Sequence, residues 1–349
     1  VGLHGILVVD NVARGPSIGG VRMAPDVTLE ECFRLARAMT LKNAAADLPH
    51  GGGKSVLFGD PRMPRQDKEQ IVRAFACALA EVEQYIFGPD MGTDEECMAW
   101  VRDEIGRAVG LPAEIGGIPL DEIGATGWGL LHAIEAAYEH QGRELEGARV
   151  VIQGYGAVGR HAARFLAERG AVVVAAADSG GAVMGSNGLD VARLAAIKAE
   201  GGSVTDYGED GITSADPEYI LGVPCDIWIP AARPDVIRED NLERLQASMV
   251  APGANIAVTA GAEAALHARG VLCLPDFIAN AGGVICAAME YQGAGQAAAM
   301  QAIQEKVSNN VSAVLRHTDD EGCLPREAAV NIAMARVRKA MELRRWSLF

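Results

Sequence analysis

The chain has 349 residues, a formal net charge of −15 and a sequence pI near 4.9, with 49% hydrophobic and 22% charged residues. That length allows two domains of ordinary size with substantial buried cores. The acidic balance argues against nucleic acid as a partner, because no basic excess exists to neutralise phosphates. The cysteines, Cys32, Cys77, Cys97, Cys225, Cys273, Cys286 and Cys323, are odd in number and form no C-x-x-C pair. They read as reduced core residues of a cytoplasmic protein, not as a disulfide frame or zinc site. The histidines show no metal-ligand spacing, so no metal is implied. No apolar run reaches membrane-spanning length and no signal peptide is visible.

The chain opens at Val1, already inside a strand pattern, Leu3 to Val9. Arg14-Gly15-Pro16-Ser17-Ile18-Gly19-Gly20-Val21-Arg22 carries turn chemistry. Thr28 and Glu31 form a capping box that starts a helix running to about Ala46, with Leu35, Met39 and Ala46 on its apolar stripe. Lys42 falls on that stripe, where an ammonium is costly unless it meets an anion or snorkels to solvent. Pro49 and Gly51-Gly52-Gly53 read as a turn whose backbone a ligand can approach closely. Lys54 then opens a short strand, Val56-Leu57-Phe58. Gln66 to Glu83 has helical spacing, and Tyr85-Ile86-Phe87 reads as a strand running into Gly88-Pro89-Asp90. An aspartate just past a strand end can be catalytic, but on the residues alone a turn aspartate or helix cap is the commoner reading. Thr93 is placed to cap the next helix.

Gly116 to Pro119 reads as a connector, and a long helix follows from about Trp128 to Gln141. Arg149 to Gln153 is an apolar strand leading at once into Gly154-Tyr155-Gly156-Ala157-Val158-Gly159, an amphipathic helix, and a second buried strand ending in Asp178. This is a dinucleotide-binding fingerprint in its full setting. Gly154 allows the tight turn, Gly156 the approach of a pyrophosphate, and Gly159 close helix–strand packing. The amides of Ala157 and Val158 open the helix that would hold the pyrophosphate. Asp178 stands where an acid accepts hydrogen bonds from the adenosine ribose. Ala182 to Asp190 reads as a loop and Thr205 to Pro217 as surface. Further apolar strands end in loops at Ala231-Ala232 and Asn255, and another precedes Pro275. A long helix is expected from Gly282 to about Arg316, a polar break at Thr318 to Cys323, and a last helix from Pro325 to Leu343. The alternation gives an α/β fold with a doubly wound parallel sheet.

Met39 to Asp60, Gly88 to Thr93, the glycine fingerprint and Pro275-Asp276-Phe277-Ile278-Ala279-Asn280-Ala281-Gly282-Gly283 together resemble the signature of the glutamate/leucine/phenylalanine/valine dehydrogenases, in that family's order. The resemblance implies two domains with a cleft between them. Residues 1–125 are the substrate and oligomerisation domain, and 126–324 are the Rossmann cofactor domain. Helix 325–349 packs back on the first domain, and additional chain is expected before Val1. It also implies an NAD-dependent amino acid dehydrogenase, with NADP as the alternative cofactor, assembled as a homo-oligomer. Lys54 resembles the lysine that polarises the attacking water, and Asp90 the general base. Lys42, with Gly19 close by and Asn280 from the other domain, resembles the α-carboxylate clamp. Thr126 and Asn255 resemble nicotinamide contacts, and Ala231 and Ala232 lie in a loop over the cofactor.

The side-chain pocket departs from the glutamate branch. That branch has a lysine before the Gly-Gly pair where this chain has Ile18, and a serine seven residues after Asn280 where this chain has Ala287. With Val284, these residues form an apolar wall, which predicts a neutral aliphatic or aromatic side chain on the substrate. Glutamate remains the alternative if Arg14 or Arg22 reaches in. A non-catalytic cofactor- or amino-acid-binding homologue is a further alternative. A hydroxy-acid dehydrogenase would offer a His–Arg site in place of two lysines and an aspartate. Asp178 without a neighbouring arginine predicts NAD over NADP.

Overall fold

The computed structural model describes residues 2–208 and 211–347. The chain divides into two compact units. The first takes the chain up to Leu120, returns for Val284–Ala302, and includes the chain from Val330. The second takes Asp121–Gly283 and Ile303–Ala329. The return at Val284 was not legible as a domain crossing, because the Ala-rich composition does not change there.

The first unit begins with β1 (Gly5–Asn11), β2 (Ser17–Ala24), α1 (Leu29–Ala45), β3 (Gly51–Phe58), α2 (Arg65–Ala78), β4 (Tyr85–Pro89) and α3 (Glu95–Ile105). The sheet order is β1-β3-β2-β4; β1 runs antiparallel to β3 and the other neighbours are parallel. Val21, Met23, Leu57, Phe75, Tyr85, Phe87 and Met98 build the core between this sheet and the α2–α3 pair.

Several local expectations change here. The three glycines are not a turn but the first half of β3, an inner strand. A Cβ at Gly51 would lie 1.9 Å from the Asn11 carbonyl oxygen, and one at Gly52 would lie 2.0 Å from the Thr40 amide nitrogen. The backbone that approaches them is the protein's own, from β1 and α1. Gly19 and Gly20 likewise lie within β2, and a Cβ at Gly19 would strike the Gly53 carbonyl oxygen at 1.9 Å. Thr28 caps α1 through the Glu31 amide at 3.1 Å, but the Glu31 carboxylate turns to Arg22 at 2.5 Å and does not close a capping box. The buried face of α1 centres on Cys32, Ala36, Thr40 and Asn43; Leu35, Met39 and Lys42 flank it half-buried. Asp94, not Thr93, caps α3.

The second unit opens on α4 (Leu120–Ile123) and α5 (Ala125–His140). It continues through β5 (Arg149–Gln153), α6 (Ala157–Glu168), β6 (Val172–Asp178), β7 (Gly181–Gly185), α7 (Val191–Ala199), β8 (Ile212–Ala215), β9 (Ile227–Pro230), β10 (Met249–Val250), α8 (Ala260–Ala268), β11 (Leu272–Cys273) and α9 (Asp276–Ala279). The strand order is β11-β10-β9-β5-β6-β7-β8. The first five are parallel, whereas β7 and β8 add an antiparallel edge built from segments expected to be loop and surface. Gly181 at φ +153° makes the tight return that lets β7 pair directly with β6.

The chain closes with α10 (Gly282–Tyr291), α11 (Gln296–Glu321) and α12 (Pro325–Met341). Gly293, at φ +77°, breaks the helix expected to be continuous from Gly282, and α11 runs through most of the expected polar break. Within the first unit, Arg336 of α12 donates to the carbonyls of Ala44 and Ala45 at 3.0 and 2.8 Å, satisfying the end of α1. Among the described residues, no helix is long and apolar enough to cross a membrane.

Candidate active site

The first unit gathers charge around the end of β4. Lys54 rises from β3, and its ammonium makes an ion pair with Asp90 just past β4; the two side chains are 7% and 19% exposed. Arg22 of β2 approaches the same Asp90 oxygen at 3.2 Å and holds Glu31 at 2.5 Å. Burial alone would raise the Asp90 carboxyl, but Lys54 and Arg22 outweigh it and hold it below the usual carboxylate range. Thr93 fixes the turn by donating to the Val21 carbonyl at 2.7 Å and accepting from the Asp90 amide at 3.1 Å. Gly20 makes room for the pair, since a Cβ there would lie 2.8 Å from the Asp90 Cβ and 3.0 Å from the Lys54 Nζ. Sequence reasoning missed Gly20 as a site residue and Arg22 as a partner of Asp90. The signal was their place on the strand beside Lys54.

Lys42 lies half-buried on α1, one residue before the fully buried Asn43. Asn43 donates to the Gly51 carbonyl at 2.6 Å and so ties α1 to the strand bearing Lys54. Ile18, 3% exposed, sits on β2 opposite Gly52 of β3 and Ile86 of β4. Val284 and Ala287 are three residues apart on one face of α10. His50 is buried, with Nδ1 3.1 Å from the Pro16 carbonyl oxygen; burial pulls its pKa down, so it is neutral at pH 7.

The second unit assembles the fingerprint at the carboxyl ends of its parallel strands. Gly154 has φ +98°, and a Cβ there would meet Ala232 at 2.7 Å; Gly159 has the Gly154 carbonyl oxygen 1.9 Å from where its Cβ would be. Gly156, at the N-cap of α6, has open space in that direction, which leaves the helix amides accessible to a pyrophosphate. The cavity beside it, about 1460 Å³, is bordered by Gly154, Asp178, Lys198, Tyr219, Ala232 and Arg244. A dinucleotide fits this donor set and cradle. Nearby, a Cβ on Gly253 would meet Val158 and Ala231, and one on Gly282 would meet Ala125 beside Thr126. Asn280 donates to the Asn255 side chain at 2.9 Å. Thr126, Asn255 and Asn280 therefore belong to one neighbourhood of this unit.

Asp178 differs from the lone carboxylate expected. Its Oδ1 accepts from Gly180 N–H and the Ser203 hydroxyl, both at 2.8 Å. Its Oδ2 accepts from the Val204 amide at 2.9 Å and pairs with Lys198 at 2.7 Å. Four donors fill a carboxylate's ordinary capacity. Burial opposes ionisation, yet Lys198 and the amides keep the group below the usual carboxylate range. No arginine is needed to place a cation at this position, because Lys198 supplies one.

Two family models cover nearly all of the chain: the Glu/Leu/Phe/Val dehydrogenase dimerisation domain over residues 2–107, and Glutamate/Leucine/Phenylalanine/Valine dehydrogenase over residues 116–345. The chain belongs to the glutamate/leucine/phenylalanine/valine dehydrogenase family. It is an amino acid dehydrogenase, an oxidoreductase that uses a nicotinamide dinucleotide. Glutamate dehydrogenase of Aeropyrum pernix is 37% identical, over 96% of this chain and 85% of that protein. The NADP(+)-dependent glutamate dehydrogenase of Pyrobaculum calidifontis is 36% identical, over 98% and 87%. Among solved structures, the hetero-hexameric glutamate dehydrogenase of Thermus thermophilus in its leucine-bound form matches with a TM-score of 0.88 at 34% identity, covering 98% of this chain and 85% of that one.

For a member of this dehydrogenase family, the buried ionic cluster of the second unit is the feature sequence reasoning did not find. Asp276 and Glu263 are 4% and 2% exposed, and both pair with Arg326, at 2.9 and 2.6 Å. The residues are distant in sequence, and no local pattern links them.

Proposed function

We propose that this dehydrogenase catalyses the reversible oxidative deamination of an L-amino acid with a neutral side chain to its 2-oxo acid and ammonia. The observation that carries the substrate reading is the fate of the two arginines that could have replaced the missing lysine at Ile18. Arg14 is held by Asp47 at 2.7 Å and by the Leu48 carbonyl at 3.0 Å. Arg22 is held by Glu31 and Asp90. Neither is left to balance a distal carboxylate beside Ile18 and Ala287, and an unpaired carboxylate there costs several kcal/mol.

Bound nicotinamide dinucleotide supplies the hydride acceptor. Lys42 holds the substrate α-carboxylate as a cation, and Asn280 joins it by releasing the weaker of its two amide hydrogen bonds, the 3.3 Å one to the Gly253 carbonyl. Lys54 polarises the water that attacks the imine and the carbinolamine oxygen that follows. Asp90 takes the proton from that water and returns it to the departing amine. Gly154, Gly156, Ala157, Val158 and Gly159 cradle the pyrophosphate, Ala231 and Ala232 border it, and Thr126 and Asn255 orient the nicotinamide half. The first unit matches a dimerisation domain and the Thermus relative is hetero-hexameric, which supports an oligomer assembled through this unit.

The names of the curated relatives favour glutamate as the second reading. A panel of L-amino acids with NAD, followed by NADH absorbance, separates the two. Turnover of leucine, valine or phenylalanine and not glutamate supports the neutral pocket. Turnover of glutamate alone keeps the chemistry and discards the pocket argument.

A further inference from the structure

We infer that Asp276, locked by Arg326, is a positioning residue that sets both site amides of the second unit, Asn255 and Asn280. The Asp276 side chain acts on Asn255 through Ile256, and on Asn280 only through the contact between the two asparagines. Its Oδ2 accepts from the Ile256 amide at 2.6 Å, directly after Asn255. Its backbone carbonyl accepts from the Asn280 amide at 2.8 Å, closing α9. The two side chains then meet, Asn280 Nδ2 donating to Asn255 Oδ1 at 2.9 Å.

Ile256 explains why a strong acceptor is needed. It is a β-branched residue at φ +54°, a conformation such residues adopt only when held there, and it is half exposed, so core packing does not hold it. Its amide is fixed by Asp276, and its carbonyl accepts from Asp235 at 2.8 Å. The other Asp276 oxygen forms an ion pair with Arg326 at 2.9 Å without a well-directed hydrogen bond, and Arg326 Nε donates to Glu263 at 2.6 Å. Such a cluster suits placement of the 253–258 loop.

This inference rests on the assignment of Asn255 to the nicotinamide half, and its test needs no amino acid. The dissociation constants of NADH and ADP-ribose are measured by fluorescence and calorimetry for wild type, Asp276→Asn, Arg326→Met and Arg326→Lys, with Tm alongside. ADP-ribose fills the adenosine side and lacks nicotinamide. For Asp276→Asn and Arg326→Met, NADH binding is expected to weaken about ten-fold while ADP-ribose binding stays within about two-fold, with partial recovery in Arg326→Lys. Ile256→Gly removes the backbone strain, so adding it to Asp276→Asn should restore part of the NADH affinity. The inference is overturned if NADH and ADP-ribose weaken together. It is also overturned if only Tm falls with both affinities intact, or if Ile256→Gly restores nothing. Because dinucleotide binding is read alone, these outcomes are independent of which side chain the enzyme accepts.

Discussion

On the proposal that Asp178 faces the adenosine ribose, Lys198→Met tests that end of the cofactor site most directly. In the wild-type chain Asp178 is saturated by four donors, and Lys198 supplies the one charged donor among them at 2.7 Å. Lys198 is 24% exposed, so the effective dielectric lies between about 20 and about 80. An ammonium about 4 Å from a phosphate charge of about −1.5 then gains roughly 1.5 to 6 kcal/mol, with about 3 kcal/mol as the middle value. Replacing Lys198 removes that attraction and leaves the Asp178 charge exposed to the phosphate. NAD carries a hydroxyl at the same point and loses none of the ionic contribution. The ratio of kcat/KM for NADP to that for NAD should therefore fall about 100-fold in Lys198→Met. Steady-state kinetics with both cofactors at saturating amino acid measure the ratio, and NADH and NADPH binding by fluorescence checks it without turnover. A ratio that changes less than about three-fold, or that rises, would refute the view that Lys198 sets the charge met by the 2′ position.

Other perturbations probe the first unit. Ile18→Lys with Ala287→Ser should raise kcat/KM for glutamate relative to leucine by at least about 100-fold, since a charged hydrogen bond and a neutral one replace an apolar wall; an unchanged ratio would sink the pocket argument. Lys54→Met should abolish most turnover and move the Asp90 carboxyl upward, because burial is then opposed only by Arg22 and the Met91 amide. The sign follows from linkage: with its folded pKa depressed, Asp90 stabilises the native state above its unfolded pKa and loses that contribution as pH falls through the folded value. Acid unfolding of Lys54→Met should begin at higher pH than wild type, and carbon-13 NMR of labelled aspartate reads the shift itself. Glu290→Ala removes the acceptor shared by the amides of Gly110, Leu111 and Ile118, at 2.8, 3.3 and 2.7 Å. Denaturant unfolding should show a loss of about 3 kcal/mol or more, and a loss below about 1 kcal/mol would mean that water replaces the carboxylate readily.

The cofactor half was legible because its chemistry is local. Strand, glycines, helix, strand and acid follow one another within residues 149–178, and each glycine answers a constraint set by its neighbours in sequence. The antiparallel edge was not legible, because β7 and β8 are short and Gly-, Ser- and Thr-bearing, a composition shared with loops. The glycine run before Lys54 misled for a different reason. Glycine marks a close approach without saying what approaches, and here the Asn11 carbonyl and the Thr40 amide occupy the space that a ligand was expected to use. Asp178 shows the same limit: its place in the chain was readable, but its four donors come from residues 180 to 204, beyond the reach of the motif. Asp276 stood inside a recognised motif, but its pairing with Arg326 and Glu263 was invisible, since a buried charge is recognised by its partner.

The Lys54–Asp90 contact poses an apparent contradiction that the surrounding charges resolve. A carboxylate held below its usual range is a poor base, yet Asp90 is assigned to take a proton. Burial pushes its proton affinity up, while Lys54 and Arg22 push it down, and with Lys54 paired to Asp90 the balance falls on the side of the cations. Arg22 is anchored by Glu31 and stays where it is. Lys54 is the cation that can move, because the role proposed for it is to turn its ammonium toward water and the developing carbinolamine oxygen. When it does so, Asp90 keeps its burial and loses its strongest cationic partner, and its basicity rises at the step that needs it. The pairing thus keeps Asp90 ionised until substrate chemistry draws Lys54 away. On this argument Arg22→Ala should raise the Asp90 carboxyl less than Lys54→Met does while leaving measurable turnover. An arginine variant as inactive as the lysine variant would place the controlling cation on Arg22 instead.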